Sequence, residues 1–136
     1  MSATPSDAAA RRAAAFAREL QLAERAAAAG EMNHAWRSLE LAHIIGQSVL
    51  RLHWRAHVRM LVLAWRQRDR REVAAQLARL MLVPLGHLAG RLPHANPGTG
   101  RVGAFTVAAW PAELEPASFA RRDLPVGRST TLDRRG

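Results

Sequence analysis

Two groups of polar residues stand at helical spacing and could do chemistry together. Glu40 and His43 are three apart, with Gln47 four further on; His53 and His57 are four apart, with Met60 three further on. Spacings of three and four bring side chains to one face of a helix. Glu-x-x-His is the spacing that helical bundles use for di-iron carboxylate centres, which need a second copy and two more carboxylates. This chain has one copy with few acids near it, which argues against such a centre. A mononuclear site built from Glu40, His43, His53 and His57 is chemically sound. Imidazole suits a divalent transition metal such as zinc, copper, nickel or iron. Three protein ligands with an open position would make a catalytic-type zinc site. The plainer alternative is that each histidine makes one hydrogen bond and packs as a medium-sized side chain, and the sequence favours it. Glu40 would then pair with His43, Arg37 or an arginine of the next helix. His34, His87 and His94 are expected at the surface or in loops.

These residues need helices to position them. Ser6 or Asp7 can cap a first helix, whose body Ala8–Ala29 has high helical propensity and ends at Gly30. A second helix is expected from about Glu31 to Gly46 or Val49, with Ala35, Leu39 and Ala42 as its buried stripe. A third follows over about Leu50–Arg68 and a fourth over about Arg71–Val83, the latter with Val73, Leu77, Leu80 and Met81 facing inward. Trp36, Trp54 and Trp65 fall at helical spacing and read as core. A connection as short as Ser48–Val49 makes the second and third helices antiparallel neighbours and can bring His43 towards His57.

The two hairpins align at an offset of 38 residues, Ala35 with Val73, Leu39 with Leu77, Ala42 with Leu80 and the turn residue Gly30 with Arg68. Such self-similarity marks stacked helical repeats. In its second half the first unit resembles a tetratricopeptide repeat. The expected fold is therefore all-α, two helical hairpins in a TPR-like arrangement with an extended C-terminal segment. In domain terms, residues 1–6 are expected to be disordered, 7–92 helical, 93–116 an extended Pro/Gly-containing segment packed on the helices, and 117–136 a disordered tail. Val102–Trp110 reads as extended, with Trp110 folding back as a latch. Two units fall short of the three or more that repeat arrays need, so the C-terminal segment is expected to cover an exposed end.

The segments AWRSLELAHIIGQ (Ala35–Gln47), HWRAHVRM (His53–Met60), PLGHLAGRLPHANPGTG (Pro84–Gly100) and VGAF (Val102–Phe105) together resemble the small bacterial proteins grouped as domain of unknown function 3703. The resemblance covers roughly Ala13 to Leu114. It implies neither an activity nor functional residues.

Composition removes several functions. Cysteine is absent, which excludes disulfides and thiolate metal sites. The longest apolar runs fall far short of the ~20 residues of a membrane span. Residues Met1–Ala10 lack the apolar core of a secretory signal, so a cytoplasmic location is expected. The formal charge is +9, carried entirely by arginine. Arg51, Arg55, Arg59 and Arg66 could track phosphates, but no base-reading motif accompanies them. Asn96–Gly100 lacks the Lys-Ser/Thr of a phosphate loop and reads as a turn. No Ser–His–Asp set is evident, so the chain leans away from enzymes. The expected function is a non-enzymatic module binding an unknown protein partner. Histidine-based metal binding is the first alternative and nonspecific nucleic-acid binding the second.

Overall fold

The computed structural model describes residues 4–90, 96–103, 111 and 114. Four helices follow one another: α1 (Pro5–Ala28), α2 (Met32–Gly46), α3 (Leu50–Arg66) and α4 (Arg70–Ala89). Each packs on its neighbour in the chain, α1 on α2, α2 on α3 and α3 on α4, which gives two hairpins in series. No strand occurs among the described residues.

The first helix begins earlier than expected. Thr4 is the N-cap: its hydroxyl accepts from the Asp7 amide, and the Asp7 carboxylate accepts from the Thr4 amide at 3.0 Å. This reciprocal box moves the start to Pro5, whose missing N–H costs nothing in a first turn. Asp7 is thus the third helical residue and not the cap.

The two hairpin turns share one geometry. After α1 the amides of Gly30 and Glu31 bond to the carbonyls of Ala27 and Ala26; after α3 the amides of Arg68 and Asp69 bond to those of Trp65 and Ala64. Both are Schellman closures, which require a left-handed residue just past the helix. Gly30 (φ +79°) and Arg68 (φ +57°) occupy that position, 38 residues apart. The internal repeat is therefore written in the turns, and Arg68 accepts a conformation that glycine adopts freely.

The apolar core lies among the first three helices. Phe16, Leu20 and Ala23 of α1 meet Ala35, Leu39, Ala42 and Ile45 of α2 and Ala56, Met60 and Leu63 of α3. The fourth helix departs from expectation. It runs through Pro84 to Ala89 and stops at Gly90 in a left-handed cap. Its buried side is Glu72, Gln76, Arg79, Leu80 and Val83, while Leu77 and Met81, expected inside, are 51% and 74% exposed. The physical reason is what it packs against: the inner face of α4 meets the histidines of α3 and the segment 96–103, which offer hydrogen bonds. The tryptophans also differ. Trp36 is half-buried and donates to Gln67 at 2.7 Å, whereas Trp54 and Trp65 are exposed. They flank the core stripe and do not belong to it.

Residues 96–103 lie over the open side of α2 and α4. Asn96 and Thr99 are buried, and Arg79 donates to the carbonyls of Thr99 and Val102. The expected extended run over residues 104–110, the Trp110 latch, His94 and the tail from 117 lie outside the described residues. No described helix is long and apolar enough to cross a membrane.

Candidate metal centre

Three of the four residues proposed as ligands converge. His43 comes from α2, and His53 and His57 come from successive turns of α3; all three are buried. The Nε2 atoms of His43 and His57 are 3.1 Å apart, and those of His57 and His53 are 3.2 Å apart. One ligand atom from each can be chosen so that all lie within 4.8 Å of one another. Glu40 is not in this set. A step of three residues leaves it about 60° around the helix from His43. Its carboxylate accepts from Arg37 at 3.5 Å and lines a polar cleft of about 420 Å³ with Trp36, Asp69 and Arg101. Burial raises the Glu40 carboxyl, with Arg37 opposing it.

The other ring nitrogen of each histidine is held by its own partner. His43 Nδ1 lies 2.8 Å from the carbonyl oxygen of Asn96, so it carries the proton and donates. His57 Nδ1 lies 2.7 Å from Gln76 Oε1. The Gln76 amide cannot be turned the other way, because its nitrogen donates to Glu72 Oε1 (2.7 Å) and to the Gly98 carbonyl (2.9 Å). His57 Nδ1 must therefore donate too. His53 Nδ1 lies 3.1 Å from Nε2 of His87, on α4. A neutral imidazole has one proton, so the Nε2 atoms of His43 and His57 are both bare. Two lone pairs then face each other at 3.1 Å in a buried site.

A proton between them would relieve the repulsion, but the surroundings oppose it. Burial, then the neighbouring His57 and His53, hold His43 well below its ordinary range. Burial, with His57, His87 and Arg79, brings His53 down to about 3. Burial outweighs the Gln76 hydrogen bond and takes His57 down to about 4. At neutral pH the cluster is an uncharged set of nitrogen donors.

The loop 96–103 completes the enclosure. The Asn96 side chain accepts from the Gly98 amide at 2.9 Å and donates to the Gly103 carbonyl at 2.8 Å, which fixes the turn. Gly98 (φ +81°) lies on the His43 ring, and a Cβ there would sit 2.8 Å from ring carbons. The Glu72 carboxylate receives the Gly100 amide on both oxygens and so joins the loop to Gln76. Asn96–Gly100 is a turn whose work is to seat a histidine.

Sequence reasoning missed Gln76, His87 and Asn96. A signal existed for the first: Glu72, Gln76 and Arg79 repeat at i, i+4, i+7, the spacing of an inward stripe. His87 was expected in a loop; the continuation of α4 past Pro84 brings it to His53. The four arginines expected to form a basic face all lie on α3. Arg51, Arg55 and Arg66 are exposed, and Arg59 pairs with Glu24 of α1 at 2.6 Å.

A family model described as a protein of unknown function (DUF3703) matches residues 10–117, and the chain belongs to that family. Comparison with curated proteins and with solved structures finds no match.

Proposed function

We propose that this member of the family binds one transition-metal ion through the Nε2 atoms of His43, His53 and His57. The observation that carries the reading is the pair of bare Nε2 atoms, each held in that tautomer by a fixed acceptor on the far side of its ring. This is how proteins prepare histidine ligands: the outer N–H is donated to a carbonyl, amide or carboxylate, which sets the tautomer and aims the ring. Spacing supports it. Two nitrogens about 2.0–2.1 Å from a zinc-sized ion and 3.1–3.2 Å apart subtend about 100°, close to tetrahedral. The donors suit zinc, copper, nickel or iron, and a fourth position remains for water or a small ligand. Burial of all three histidines favours holding and handing on an ion over turnover of a bulky substrate.

The experiment is calorimetric titration of untagged apo-protein with zinc and copper. Wild type is expected to take up one equivalent, and His43→Ala and His57→Ala should abolish uptake while helicity is retained. Uptake unchanged in both variants would refute the reading. The protein-interaction reading draws support from a separate feature, the apolar outer face of α4.

A further inference from the structure

The amphipathic order of α4 is inverted. From Val73 to Ala89 every exposed residue is apolar: Ala74, Leu77, Ala78, Met81, Leu82, Pro84, Leu85, Leu88 and Ala89. The polar side chains of that stretch, Gln76, Arg79 and His87, all turn inward. A helix facing water normally does the reverse. Leu77, Met81, Leu85 and Leu88 follow at steps of four, four and three and form one ridge, with Leu88 87% exposed. Trp65, 72% exposed at the end of α3, extends the face through a groove that it lines with Arg68, Arg70, Val73, Ala74 and Leu77. Contiguous apolar area of this kind marks an interaction surface.

We propose that this face binds a second copy of the chain, α4 against α4, antiparallel. Three observations select that occupant. First, the ridge from Leu77 to Leu88 carries no exposed charge, so the ridge is its own complement, as a two-fold interface requires. Second, the exposed charge of α4 itself lies in its first turn, at Arg70 and Arg71, beside Arg66 and Arg68. Antiparallel pairing puts the two clusters at opposite ends of the interface. Arg70 and Leu88 are 18 residues apart, or about 27 Å along a helix, and a Debye length is ~8 Å at physiological salt. Parallel pairing would superimpose the clusters. Third, the area is sufficient. Trp65, Leu77, Met81, Leu82, Leu85 and Leu88 offer on the order of 700 Å² per copy, so roughly 1,400 Å² in all, against the ~1,200–2,000 Å² of stable interfaces. Met81 lies near the centre of the ridge and thus near the two-fold axis.

Sedimentation equilibrium at tens of micromolar tests this on the full chain. Wild type is expected at twice the 14.9 kDa chain mass. Met81→Glu and Leu85→Glu, both at solvent-facing positions, should weaken dimerisation at least tenfold with helicity unchanged. Because the chain has no cysteine, Met81→Cys provides a second reading. It should cross-link to dimer under mild oxidation, while Arg55→Cys, on an exposed face of α3, should not. A wild-type monomer at these concentrations overturns the proposal, whether it is free in solution or bound to lipid vesicles. So does a dimer that both glutamate variants leave intact.

Discussion

Gln76→Leu removes one side chain that serves three purposes. Gln76 is fully buried; its oxygen receives the His57 Nδ1–H at 2.7 Å, and its nitrogen donates to Glu72 and to the Gly98 carbonyl. Leucine fills similar volume and keeps the helix. It leaves the His57 Nδ1–H and the Gly98 carbonyl without these partners, while Glu72 keeps the Gly100 amide. An unsatisfied buried group costs about 1–3 kcal/mol, so two cost about 2–6 kcal/mol. That is a large share of the ~5–15 kcal/mol that holds a domain. The metal should report the change separately. His57 loses what selects its tautomer and can move its proton to Nε2, where a metal would bind. Loss of such an outer partner weakens metal affinity about 10–100-fold. Urea denaturation of the apo-protein measures the first effect, and competitive titration against a chromophoric chelator measures the second. Wild-type metal affinity in a folded Gln76→Leu protein would refute the role given to the His57–Gln76 bond.

Gly98→Ala should lower both stability and metal affinity, because it combines a left-handed φ with a Cβ driven into the His43 ring. Gly90→Ala, at a left-handed residue with open space around it, should cost about 1 kcal/mol and leave metal binding alone. Arg68→Gly should stabilise the fold by about 0.5–1 kcal/mol, since it relieves a left-handed non-glycine, and thermal melting should show a small rise. Apo-protein stability should fall as pH drops below about 6.5. Unfolded histidines take up protons there, while folded His57 and His53 resist until about 4 and about 3. The loss is up to about 1.4 kcal/mol per pH unit per histidine, read as the urea midpoint from pH 7.5 to 5; a flat profile would contradict buried neutral histidines.

Much of this was legible in the chain. The helices, the hairpin order and the 38-residue offset follow from Gly30, Arg68 and the small residues Ala35 and Ala42. The convergence of His43 and His57 follows from their spacing and the short α2–α3 connection. Glu40 enters the expected ligand set through a spacing of three, which places residues near each other on a helix without pointing them at one place. Periodicity misplaces the inner face of α4 because it takes apolar to mean inside. Here the neighbours of α4 are imidazoles and loop carbonyls, so Gln76 and Arg79 turn in and Leu77 and Met81 turn out. The acceptor from Asn96 is a backbone carbonyl, and no residue type announces that.

X-ray absorption at the metal edge of the zinc-loaded, untagged protein tests the three-histidine centre most directly. One zinc per chain is expected, in a four-coordinate shell of nitrogen and oxygen at about 2.0–2.1 Å, with outer scattering from three imidazoles. A six-coordinate oxygen shell, or fewer than three imidazoles, would contradict a three-histidine centre.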